Sequence, residues 1–96
     1  MTGLVLSPRA QGDLDEIWDY SVENWGEDQA ERYLRMLWRG IELLAEDPKR
    51  GRSCETIRAG YYRYSVGSHM IFYKLTDTGV DLVRVLHQRM DFRRHL

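Results

Sequence analysis

Tyr61-Tyr62-Arg63-Tyr64-Ser65-Val66-Gly67-Ser68-His69-Met70-Ile71-Phe72-Tyr73-Lys74-Leu75 decides the architecture of this chain. Aromatic and β-branched residues run up to a Gly-x pair and resume directly after it, which predicts two strands joined by a two-residue type II′ hairpin. A second turn, Thr76-Asp77-Thr78-Gly79, leads into Val80 to Leu86, rich in Val and Leu, as a third antiparallel strand. Upstream the period changes. Ser7 is placed to cap a helix and Pro8 suits its first position, where the N–H would be unpaired anyway. Ala10, Leu14, Ile17, Trp18, Ser21 and Trp25 fall within one arc at about 100° per residue, so helix one is expected over residues 8–25, with Gly26 free to take positive φ at its end. Asp28 with Glu31 has the spacing of a capping box. Ala30, Tyr33, Leu34, Leu37, Ile41 and Leu44 repeat at helical spacing until Asp47-Pro48, giving helix two over 28–46, antiparallel to the first. Leu4-Val5-Leu6 reads as a short first strand.

The expected fold class is therefore α+β: a short N-terminal strand, an antiparallel two-helix hairpin, then three antiparallel strands in one four-stranded sheet with the helices on one face. With 96 residues, the chain is expected to form a single domain over 1–96. Its composition, 43% hydrophobic and 30% charged, is that of a globular protein. No apolar run approaches the roughly 20 residues of a membrane-spanning helix, and Met1-Thr2-Gly3 offers no basic start to an export signal. The single cysteine, Cys54, fits a reducing compartment, so a cytoplasmic location is expected.

The net charge of −1 conceals a division. Residues 1–47 hold eleven acids and four bases, net −7; residues 48–96 hold ten bases and four acids, net +6. Such a split suits a basic face aimed at an anionic partner, or simply two solvated faces of opposite sign.

His69, His87, His95 and Cys54 have no metal-ligand spacing, so no metal is expected. Without a Gly-x-Gly-x-x-Gly, a Walker lysine or a Gly-x-Ser-x-Gly, no cofactor is expected either. Trp18 and Trp25 lie on or beside the core arc of helix one and are expected to pack there. Helix two differs, because Trp38 and Met36 sit about 100° to either side of its core arc. Surplus Trp and Met at a helical rim suggest a docking groove for an amphipathic segment. Strict alternation along the last strand places Asp81, Val83, Val85, His87 and Arg89 on one side and Leu82, Arg84, Leu86 and Gln88 on the other. Arg84 is expected to be solvent-facing or salt-bridged.

One resemblance spans nearly the whole chain. Leu6-Ser7-Pro8-Arg9-Ala10, Asp13-Leu14-Asp15-Glu16-Ile17-Trp18-Asp19-Tyr20, Trp25-Gly26, Ala30-Glu31-Arg32-Tyr33, Pro48 with Gly51-Arg52, Gly67-Ser68-His69, Ile71-Phe72-Tyr73 and Val83-Arg84-Val85-Leu86-His87-Gln88-Arg89-Met90-Asp91 closely resemble ParE toxins, in order and spacing. The resemblance implies the RelE/ParE-like fold and the toxic half of a type II toxin–antitoxin pair. It further implies a non-enzymatic inhibitor that poisons DNA gyrase and is neutralised by a ParD-like antitoxin in a hetero-oligomer. No membrane association and no sequence-specific nucleic-acid binding are expected.

RelE-like ribosome-dependent mRNA endonucleases share that fold and supply the alternative. On their pattern Arg63 and Arg89 fall where the nucleases keep a cation, His95 falls near the terminal acid, and His87 could transfer a proton. The stretch His69 to Tyr73 lacks the arginine those enzymes keep there, and loss of a phosphate clamp weakens the nuclease reading. Under the preferred reading, Trp38, Met36 and Trp18 are the candidate antitoxin contacts. Arg89, Arg93 and Arg94 are the candidate target contacts, held by a tail that packs back through Phe92 and Leu96.

Overall fold

The computed structural model describes residues 3–96, so Met1 and Thr2, at the start of the expected export-signal-free end, lie outside it. The chain forms β1 (Gly3–Leu6), α1 (Pro8–Trp25), α2 (Glu27–Glu46), a 3-10 turn (Pro48–Arg50), β2 (Arg52–Ser53), β3 (Tyr61–Val66), β4 (His69–Leu75), β5 (Gly79–His87) and α3 (Phe92–His95). The sheet has five strands rather than the expected four, in the order β1-β5-β4-β3-β2. The additional strand, β2, consists of two residues paired to β3, too short to carry a periodicity. β1 runs parallel to β5, and the other pairings are antiparallel.

Both helix boundaries follow from local chemistry. The Ser7 hydroxyl accepts the Ala10 N–H at 3.0 Å and donates to the Val83 carbonyl at 2.7 Å, so one side chain both caps α1 and pins it to β5. Gly26, at φ 86°, ends α1 and begins α2 in a single residue. The expected capping box at Asp28 and Glu31 does not form. The glycine cap has no side chain to reciprocate, and both acids already lie inside the helix. Val66 and His69 are register partners, and Gly67 takes φ 56°, as the first central residue of a type II′ hairpin requires; among the described residues only glycines have positive φ.

The main core lies between the helices and the sheet: Ala10, Leu14 and Ile17 from α1 and Leu37, Ile41 and Leu44 from α2 meet Ile71, Tyr73, Val80, Leu82 and Val85. Tyr73 carries its hydroxyl into this core but donates it to the Pro48 carbonyl at 2.8 Å and accepts the Gly51 N–H at 3.0 Å, fixing the 3-10 turn beneath α2. On the opposite sheet face a smaller cluster of Cys54, Phe72 and Leu86 is covered by Ile57, Phe92 and Leu96. Phe92 meets Phe72 edge to face at 4.8 Å, so the tail does pack back, as α3.

Strict alternation fails in β5. The β4–β5 register slips by one residue, from Phe72↔Arg84 to Tyr73↔Leu82, leaving Val83 as a bulge. Leu82 and Val85 consequently share the helix-facing core, although period two had separated them. The expected packing of Trp18 and Trp25 also fails, because they stay 37% and 51% exposed on the flanks of α1 while Ala10, Leu14, Ile17 and Ser21 fill the contact.

Candidate functional site

β1 ends at Leu6, so the second half of β5 has no strand on that side. Asp13 of α1 takes the vacant place. Its Oδ2 accepts the Val85 N–H at 2.9 Å and the Arg84 Nε–H at 2.7 Å, while Oδ1 accepts Arg84 Nη2 at 2.8 Å. The third fork of Arg84 donates to the His95 carbonyl at 3.0 Å, tying α3 to the same centre. The hydrogen bond to Asp13 holds the Arg84 pKa above its ordinary value, ahead of the opposing effect of burial. A carboxylate beside the apolar arc of α1 and an arginine in an apolar strand are the two sequence signals for this pair, since a buried charge requires a partner.

Next to this pair opens a cleft of about 600 Å³. Along it runs a chain of rings: Tyr20 to Trp25 at 6.1 Å, Trp25 to Tyr33 at 6.0 Å, Tyr33 to His69 at 5.5 Å and His69 to His87 at 5.3 Å. The Tyr33 hydroxyl accepts the Ser68 N–H at 3.0 Å, which leaves its proton for His69 Nδ1. Burial, reinforced by the neighbouring His87 and opposed by Asp13, lowers the His69 pKa to about 4, so the ring is neutral at pH 7. His87 Nδ1 in turn accepts the Arg89 N–H at 3.1 Å. None of these ring contacts was apparent in the sequence, because Tyr33 reads as core and His69 as strand.

The residues singled out from the sequence are dispersed. His87 and His95 both line the cleft, whereas Arg63 does not. Tyr62, Tyr64 and Val66 join the helix-side core, so Arg63 points to the opposite face with its register partner Phe72. It borders a separate hollow with Arg50 and Arg52. Arg89, Arg93 and Arg94 are exposed around the turn between β5 and α3, with Asp91 accepting the Arg93 N–H to cap that last helix. Trp38 lines an open hollow of about 920 Å³ with Leu4, Arg39 and Glu42. Met36 lies on the other flank of α2, beside the Gly67 hairpin, so it and Trp38 do not share one groove. Trp18 is exposed and lines neither hollow. Among the described residues no group of three or more His, Cys, Asp or Glu is placed to hold a metal ion, and no helix is long and apolar enough to cross a membrane.

The sequence matches the profile of a family described as ParE toxin of type II toxin-antitoxin system, parDE, over residues 4–92. It is 54% identical over 93 residues to a Mycobacterium tuberculosis protein named Toxin ParE1, covering 96% of this chain and 95% of the relative. A Caulobacter vibrioides protein, also named Toxin ParE1, is 50% identical over 91 residues, with 95% and 94% covered. The backbone is similar to a chain of the solved structure titled "Chromosomal ParDE TA system from P. aeruginosa", with a TM-score of 0.79, covering 91% of this chain and 96% of that one. At 17% identity this last likeness bears on the fold alone.

Proposed function

This chain belongs to the ParE toxin family of type II toxin–antitoxin systems, and from that premise we propose that it is a non-enzymatic growth inhibitor that poisons DNA gyrase in the cytoplasm until a ParD-like antitoxin binds it. The observation that carries this reading is identity of 50% or more, over at least 94% of both chains, to proteins named Toxin ParE1. The separation of Arg63 from His87 by the thickness of the sheet supports the same side. A phosphodiester cannot be clamped and protonated by groups on opposite faces.

Two surfaces are assigned roles. The hollow beside Trp38 takes the antitoxin, with Met36 and Trp18 as contacts on the flanks of the helical hairpin. Arg89, Arg93 and Arg94, carried on a tail that Phe92 holds against the sheet, engage the target through planar, multidentate contacts to carboxylate or phosphate. The purified chain is expected to inhibit gyrase supercoiling of plasmid DNA and to leave it in a cleaved complex, with relief by the antitoxin. Ribosome-dependent cuts in translated message that vanish on His87→Ala or Arg89→Ala would overturn this reading in favour of the nuclease.

A further inference from the structure

The ring-lined cleft beside α1 belongs to neither of those surfaces. We infer that it is a docking pocket for a cationic side chain, an arginine or lysine on a basic segment of a protein partner, with Tyr20, Trp25 and Tyr33 offering ring faces and Glu16 the counter-charge. Tyr20 and Trp25 are among the exposed large side chains of the described residues, yet they are fixed edge to face against each other, and Trp25 in turn against Tyr33, rather than scattered. Ring faces presented in this way attract cations through their quadrupole.

The polar groups around the rings favour the same sign. Arg84 spends three donors on Asp13 and the His95 carbonyl, so its charge is matched and is not offered to an anion. His69 has its Nδ1 occupied by Tyr33. Glu16 lines the cleft, is exposed and forms no ion pair among the described residues. Along α1, Asp19 and Glu23 fall on the same side as Glu16, within roughly 60° at 100° per residue, and both are exposed. With Glu16 at the cleft and Asp19 and Glu23 continuing an acidic side along α1, the charge complements a segment carrying several bases, one of which enters among the rings.

The test requires neither gyrase nor antitoxin, so it stands apart from the function proposed above. A blocked Ala-Arg-Ala-Arg-Ala peptide and its citrulline counterpart, of the same shape without the charge, are titrated into isotope-labelled protein. Saturable shifts of the Trp25 indole N–H and the Ser68 amide are expected with arginine and not with citrulline. Glu16→Gln and Trp25→Leu, both at exposed positions the fold does not need, should each weaken binding about fivefold or more. Asp77→Asn, in the distant β4–β5 turn, should leave it unchanged. Absence of binding, equal response to citrulline, or parental affinity in both Glu16→Gln and Trp25→Leu would overturn the inference.

Discussion

Both carboxylate oxygens of Asp13 hold Arg84, at 2.7 and 2.8 Å, across 71 positions of sequence. The same carboxylate also satisfies the Val85 N–H, so a side chain of a helix completes the edge of a strand. Removing only one partner leaves an uncompensated buried charge, and Asp13→Ala is expected to cost about 3–5 kcal/mol. Urea unfolding should show this as a lower midpoint. Asp13→Leu with Arg84→Met removes both charges and should recover most of the loss, remaining roughly 1–3 kcal/mol below the parent because the Val85 N–H is then unpaired.

His69 predicts an acid-sensitive fold. Its folded pKa, about 4, lies below the roughly 6.5 of an unfolded histidine. The unfolded chain therefore takes up a proton that the folded one refuses. Stability is full above pH 6.5, falls as pH drops toward 4 and levels below that. Allowing for solvent screening of a half-buried ring, the loss is roughly 1–2 kcal/mol. His69→Gln, which keeps an acceptor for Tyr33, should flatten that part of the curve when unfolding is measured at pH 7.5, 6, 5 and 4.

Trp38→Ala is expected to weaken antitoxin binding by about 2 kcal/mol, near thirtyfold, with little change in melting temperature because the indole is 37% exposed. Met36→Ala and Trp18→Ala, measured by the same calorimetric titration, report on the two other flanks of the hairpin. Unaltered affinity in all three would move the antitoxin surface elsewhere.

Arg93→Glu with Arg94→Glu should abolish growth inhibition while antitoxin affinity and melting temperature hold, since both side chains are exposed. Phe92→Ala should also reduce toxicity, by releasing α3 from Phe72. A fully toxic double variant would place the target surface on the helices or the Gly67 hairpin.

Two helical glycines should respond in opposite senses to alanine. Gly12 has open space where a Cβ would stand, so Gly12→Ala is expected to add up to about 1 kcal/mol. At Gly40 the same atom would sit 2.6 Å from the Val66 Cγ2 in β3, and Gly40→Ala is expected to cost about 1–3 kcal/mol by forcing α2 off the sheet. Paired thermal melts of the two variants check both signs.

The helices were legible because Ser7-Pro8, Gly26 and Asp47-Pro48 punctuate an apolar repeat, and the hairpin because Gly67-Ser68 interrupts an aromatic run. The Val83 bulge was not, because β5 is covered on both faces and its apolar residues read alike on either side. Trp18 and Trp25 were misplaced for a related reason: a repeat reports which arc is apolar, not how much of it a four-residue-wide contact can cover. The ring-lined cleft depends on Trp25 meeting Tyr33 across the helical hairpin and on Tyr33 meeting His69 of β4, distances that only the packed fold sets.

The parallel pairing of β1 with β5 joins Gly3 to Gly79, the first strand made to the last. Pairing Gly3 with Gly79 needs everything between them to be in place, so the sheet closes late in folding, and loop closure over this distance slows the step further. A chain that stops short of Gly79 lacks both β5, an interior strand that carries Val80, Leu82 and Val85 into the core, and the arginines of the segment after it.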